Sequence, residues 1–275
     1  NVIVTASVIM AGQVAHDRAL SRRERFPGNK KLNSDLIREA RRLLVTEDWS
    51  PRQISGYLGL QGKHISRETI YRLIREDDSG ELASHCRHKM KYRHHQKRPR
   101  PTKVRSIPNR ISIHDRPVEA DGKRFGDWEM DLIVGKKQKG AILTLCERCT
   151  NFMIMSKLKE GKKPLPLAQV VINLLLPYKK YVKTITTDNG SEFSCHQKIA
   201  KALETTVYFT DSYASWQKGA IENTNKLIRQ YIPKGADFKD IDEVFIKNIQ
   251  FKINRRPREK LKFSTPKKEF FKNVS

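Results

Sequence analysis

The run Trp128-Glu-Met-Asp-Leu-Ile-Val134 is built from residues that suit a pleated backbone, and Gly135-Lys-Lys-Gln-Lys-Gly140 closes it as a hairpin loop. Working outward, Ala141–Glu147 and Phe152–Lys157 read as two further strands. Leu165–Leu176 has the length and apolar spacing of a helix, with Pro177 as its stop. Val182–Thr187 is a fourth strand that runs into Asp188-Asn189-Gly190, a turn sequence. Ser194–Leu203 is expected to be a helix and Thr206–Phe209 a fifth strand. After a loop at Ser212–Gly219, Ala220–Tyr231 reads as a long polar helix ended by Pro233 and Gly235.

Three hairpin-connected strands, then helix, strand, helix, strand, helix, is the order of an α/β ribonuclease H-like mixed sheet with flanking helices. Ahead of it the chain is all-α. Ser34-Asp35 offers a cap before Leu36, Ile37, Ala40, Leu43 and Leu44. Ser50-Pro51 opens a second helix, with Ser as cap and Pro at its first position. Gly59 and Gly62 punctuate, and Ser66 caps a third helix carrying Ile70, Leu73 and Ile74 inward. Two short helices about a glycine-containing turn, with Arg67, Thr69 and Arg72 facing outward, suit a helix-turn-helix. The expected organisation is an incomplete N-terminal segment (1–33), a helix-turn-helix domain (34–80), a basic linker (81–122) and the ribonuclease H-like catalytic domain (123–275).

The chain has 275 residues, 55 Lys and Arg against 30 Asp and Glu, and a formal charge of +25. The surplus is +13 over residues 1–126 and +12 over 127–275, so both halves attract a polyanion. His85–Arg110 contains ten Lys and Arg, four His and no acid, as expected of an arm that follows nucleic-acid phosphates. Lys247–Lys272 is a second basic stretch. No segment approaches the ~18 apolar residues that a membrane span needs. Cys146 and Cys149 form a CxxC at a strand end, with no second pair at zinc-ligand spacing, and a disulfide framework is not expected in a chain of this size. A reducing, cytoplasmic setting follows as the expectation.

No Walker loop, GxSxG or HExxH occurs, which leaves carboxylates beside turns as candidate chemistry. Asp131 interrupts an apolar strand, where a carboxylate is costly unless a cation or metal pairs with it. Asp127 and Glu129 crowd it, and spacing leaves them open beside it. Asp188 ends a strand, and Glu222 lies in the helix after Gly219. Three acids from a central strand, a strand end and a facing helix can clamp two Mg²⁺ ions roughly 3.5–4 Å apart around a phosphodiester.

Three segments carry a resemblance: Gly126-Asp-Trp-Glu-Met-Asp131-Leu-Ile-Val-Gly135, Thr186-Thr-Asp188-Asn-Gly-Ser-Glu-Phe193, and Tyr213-Ala-Ser-Trp-Gln-Lys-Gly-Ala-Ile-Glu222 with its continuation to Phe238. Asp188 and Glu222 have 33 residues between them, and Arg229 follows Glu222 by seven. With these motifs the sequence resembles the IS30-type insertion-sequence transposases, DDE recombinases with an integrase-type catalytic core. The resemblance implies Asp131, Asp188 and Glu222 as catalytic residues and ligands of two Mg²⁺ or Mn²⁺ ions. It also implies double-stranded DNA as partner (terminal inverted repeats and target), a homo-oligomer, and a bacterial, nucleoid-associated location. Arg67, Thr69 and Arg72 would read DNA, with Arg229, Lys226 and Trp216 near the cut. Trp216 and Tyr213 suit either base stacking or anchoring of their loop. Met130, Ala220 and Ile221 depart from the family's usual residues, and the family's further helix-turn-helix ahead of residue 34 is expected to be incomplete. Two other readings stay open on the sequence: a catalytically silent, truncated DNA-binding regulator, and a nuclease acting on RNA–DNA hybrids.

Overall fold

The computed structural model describes residues 13–18, 21, 33–87, 89–90, 107–212 and 214–275. Most of the cationic run His85–Arg110, and Tyr213, lie outside them. Two bodies, residues 1–41 and 42–275, divide within helix α1 (Ser34–Glu47). In the first, the cap falls one residue earlier than expected. Asn33 Oδ1 accepts from the Asp35 amide at 2.9 Å, while Asp35 pairs with Arg38 at 2.5 Å.

The second body begins with the rest of α1, α2 (Pro51–Gly59), α3 (Arg67–Arg75) and the single turn α4 (Glu81–Ser84). Ser50 and Gln53 form a reciprocal capping box on α2, and the Ser66 hydroxyl accepts from the Thr69 amide at 3.0 Å. Ile54 and Leu58 of α2 and Ile70 and Ile74 of α3 are buried, in a helix-turn-helix-like arrangement. Gly56 has a packing reason: a Cβ there would collide with the Phe263 ring.

A six-stranded sheet follows, with strands β1 (Ile111–Ser112), β2 (Asp127–Val134), β3 (Ala141–Glu147), β4 (Met153–Leu158), β5 (Thr184–Thr187) and β6 (Thr206–Phe209). The order is β1-β6-β5-β2-β3-β4, antiparallel across β2-β3-β4 and parallel elsewhere. Its five longer strands have the ribonuclease H-like arrangement that the element order predicts. Strand β1 was not foreseen, because two residues carry no alternation to read.

Alternation along β2 sorts the two faces. Trp128 and Met130 join one cluster with Leu143, Leu145 and Ile185, covered by α5 (Pro164–Leu175) and α6 (His196–Leu203). Ile133 joins the opposite cluster under α7 (Gly219–Ile228) and α8 (Glu243–Arg255). Pro177 does not end helical structure; the chain tightens into a 3₁₀ segment, Leu176–Tyr181. Helix α7 stops at Ile228, earlier than expected, and Arg229 Nη1 reaches the Ile232 and Pro233 carbonyls at 3.5 and 3.3 Å. The basic stretch Lys247–Lys272 forms most of α8 and most of α9 (Pro266–Val274). Phe270 of α9 is fully buried and stacks on Phe152 at 4.1 Å. The free side of β4 is sealed by amide side chains of α8: Asn254 exchanges bonds with the Met153 backbone (2.9 and 2.7 Å), and Gln250 accepts from the Met155 amide at 2.7 Å.

The helical segment and the sheet layer meet at Asp48, which has φ +55° and is largely buried. Its carboxylate accepts from His85 Nδ1 (2.7 Å), Tyr231 Oη (3.1 Å) and Lys252 Nζ (2.7 Å). Burial pushes its pKa up, but the bonds from Lys252, His85 and Tyr231 win and hold it below the ordinary 3.8. Asp48→Asn, a residue that tolerates positive φ, is expected to cost about 2–4 kcal/mol at neutral pH. A depressed folded pKa gives stability that is present above 3.8 and lost as pH falls through the lower folded value, so the denaturation midpoints of the two proteins should converge there.

Candidate active site

Three carboxylates project in a row from one face of β2: Asp127, Glu129 and Asp131. Gly126 starts the row at φ +100°, where a Cβ would strike the Tyr181 carbonyl, and its amide donates to Glu147 Oε1 at 3.1 Å. Asp127 is fully buried, gripped by Arg124 (3.0 and 2.7 Å) and by the Thr184 hydroxyl (2.7 Å). Glu129 is also fully buried. It pairs with Arg148 at 2.9 Å and accepts from the Ile221 amide at 2.7 Å. This last bond ties β2 to the first turn of α7, one residue before Glu222. Burial raises the Glu129 pKa, against the Ile221 amide and Arg148.

Asp131 is the most accessible of the three, with its side chain 23 % exposed, although apolar residues flank it in the sequence. Its Oδ1 lies 3.3 Å from Lys218 Nζ, and its Oδ2 accepts from Asn225 Nδ2 at 2.7 Å. The same Lys218 Nζ is 3.0 Å from Asp188 Oδ2. Asp188 leaves β5 into its turn and accepts from the Gly190 amide at 3.0 Å. One buried ammonium therefore joins carboxylates from two adjacent strands. Burial raises the Asp131 pKa and Asp188 adds to it, while Lys218 opposes; for Lys218, burial lowers and the two aspartates raise, with a net rise.

Glu222 is half-buried in the first turn of α7 and makes no hydrogen bond or ion pair among the described residues. It precedes Asn225 by three residues, so the two share a helix face about one turn apart. No three His, Cys, Asp or Glu side chains among the described residues gather into a ready metal cage. Lys218 stands between the two aspartates in that arrangement. Asn225 Oδ1 is buried without a partner beside Asp131, as is Thr187 Oγ1 at the end of β5.

The remaining candidates are spread over two regions. Trp216 is 75 % exposed in the 3₁₀ turn Ser215–Lys218, which excludes a core-anchoring role. Lys226 is exposed and Arg229 half-buried on and just after α7. On α3, Arg67 is exposed, Thr69 shares a 2.9 Å hydroxyl bond with Ser66, and Arg72 lies 3.8 Å from Glu76. Lys218 and Asn225 went unread as site residues, and Glu129 was left as an open neighbour of Asp131. The available signal was Lys218 four residues before Glu222 and Asn225 three after it. Removing Glu129 alone strands Arg148 in the interior. Glu129→Ala is expected to cost about 3–5 kcal/mol in urea unfolding, and Glu129→Met with Arg148→Met distinctly less.

No protein-family profile matches the chain. It is 42% identical over 258 residues to the transposase for insertion sequence element IS4351 of Bacteroides fragilis, covering 92% of this chain and 78% of that protein. It is 33% identical over 240 residues to the transposase InsI for insertion sequence element IS30A of Escherichia coli (strain K12), covering 82% of this chain and 62% of that protein. The solved catalytic core domain of BIV integrase aligns with 54% of the chain at 18% identity, with a TM-score of 0.43. By its likeness to the first two, over most of its length, the chain belongs to the IS30-type family of insertion-sequence transposases.

Proposed function

We propose that the chain catalyses divalent-metal-dependent cleavage of DNA at the ends of an insertion sequence and transfer of the freed strand into target DNA. The observation that carries this is the convergence of Asp131 and Asp188 on one cation, Lys218 Nζ, at 3.3 and 3.0 Å. The site's donors suit a hard ion: carboxylate oxygens, with the unpartnered Asn225 Oδ1 alongside. Asp131, Asp188 and Glu222 would hold Mg²⁺ or Mn²⁺, two ions in all. Bound there, the ions supply Lewis acidity at phosphorus and a more acidic attacking water or 3′-hydroxyl.

The chain's own side chains do the rest. Asn225 fixes the Asp131 rotamer, and the Glu129 bond to the Ile221 amide sets the first turn of α7, from which Glu222 projects. Lys226 and Arg229 meet DNA phosphate beside the cut, and exposed Trp216 offers a ring on which an unstacked base can rest. Arg67, Thr69 and Arg72 of α3 face the major groove of double-stranded DNA. Two element ends call for at least two copies of the chain. No helix among the described residues is long and apolar enough to cross a membrane.

The test is nicking and strand transfer on a duplex carrying the element's own terminal repeat, with Mg²⁺ or Mn²⁺. Asp131→Asn, Asp188→Asn and Glu222→Gln are each expected to slow both steps by about a thousandfold, near 4 kcal/mol in the barrier, with duplex binding retained. Wild-type rates in any of the three would remove that residue from the site.

A further inference from the structure

A cleft of about 1040 Å³ lies between the helix-turn-helix-like segment and the catalytic layer, and its lining is strongly cationic. Tyr71 in the middle and Arg75 at the end of α3 form one wall, and Gln230, Arg256 and Arg258 form the other. Arg87 closes the cleft from the segment after α4. Asp48, the single acid of the lining, is already engaged by His85, Tyr231 and Lys252.

Arg75 is matched by Glu68 at 2.5 Å. Arg87, Arg256 and Arg258 form no ion pair among the described residues. The Nε of each is shielded from solvent and donates to nothing. Arg256 Nη2 reaches Gln230 Oε1 at 3.0 Å and also the Tyr231 hydroxyl, both neutral groups. Burial, then repulsion from Arg256 and Arg87, brings Arg258 down to about 10 despite some support from Cys146, and burial with Arg256 lowers Arg87 in the same way. Three guanidiniums held close together, drawn away from water and without a counter-ion, are electrostatically unfinished. The Nε edge left without a partner is also the edge with which arginine grips two oxygens of one phosphate, which must enter the cleft to reach it.

We propose that this cleft binds a backbone phosphodiester of duplex DNA, with Arg87, Arg256 and Arg258 closing on its non-bridging oxygens. The assignment rests on the functional reading above and adds a DNA-binding point outside the carboxylate site. Duplex engaged by α3 passes the cleft, because Tyr71 and Arg75 belong to both. A phosphate seated there would bridge the DNA-reading helices and the catalytic layer.

Two measurements test it on the full chain, with Arg258→Gln and with Arg87→Gln plus Arg258→Gln. The first is the affinity for a labelled duplex of arbitrary sequence across a salt series. The slope of log affinity against log salt should become shallower by about 0.9 for each phosphate that is no longer neutralised. The second is thermal melting with and without inorganic phosphate. Phosphate should raise the wild-type midpoint and leave the variants unmoved, and in phosphate-free buffer the variants should melt no lower than wild type, having shed an uncompensated charge. Variants that melt lower and still respond to phosphate would make the arginines structural and overturn the proposal. An abolished phosphate response with an unchanged duplex slope would overturn the DNA assignment in favour of a small phosphate compound. If wild type binds no duplex at all, the functional reading falls, and a midpoint unmoved by phosphate would then dispose of the cleft as well.

Discussion

Strand β2 carries three acids on one face, and every one of them needs a cation. Neighbours at alternate positions on a strand are near enough to repel, and burial raises the cost of each charge. Arg124 answers Asp127 from the approach to the strand, Arg148 answers Glu129 from the turn after β3, and Lys218 answers Asp131 from the turn before α7. The three cations arrive from three separate segments. Satisfying the row therefore pins those segments to the centre of the sheet, and the site is a by-product of that neutralisation.

The row is graded. Asp127 and Glu129 are sealed and matched by arginines, whose planar forks fit carboxylates closely. Asp131, nearest the outside, is matched by a lysine that it shares with Asp188. A flexible ammonium makes a less exacting partner than a guanidinium. The two inner pairs are sealed and singly matched, whereas the outer ammonium is shared between carboxylates of two strands.

Much of the sheet was legible in the residues. Val, Ile, Leu and Thr between glycine-bearing turns marked β2, β3, β4, β5 and β6, and Ser50-Pro51 and Ser66 marked helix starts through caps that the structure contains. What stayed hidden depends on tertiary contact. Strand β1 is too short to show a period. Helices α8 and α9 were masked by their lysines, although Ile246, Ile249 and Ile253 carry the apolar face of α8. In the site, Asp131 was singled out for its apolar neighbours, yet the two adjacent ones, Met130 and Leu132, point to the other face of the sheet. Lys218 gave only its spacing from Glu222 as a signal, for a different reason: its pairing exists only once the turn ahead of α7 folds back over two strands.

The amide side chains of α8 along β4 have a bearing on how the protein behaves in a crowded solution. An exposed strand margin is a template on which another chain can add itself. Asn254 and Gln250 occupy the donor and acceptor positions that such an intruder would need, and at the opposite margin β1 offers only two residues. The sheet is thus closed to lengthwise growth at one side and nearly so at the other. Copies of the chain that meet at high concentration are thereby guarded against fibrillar self-association through this margin.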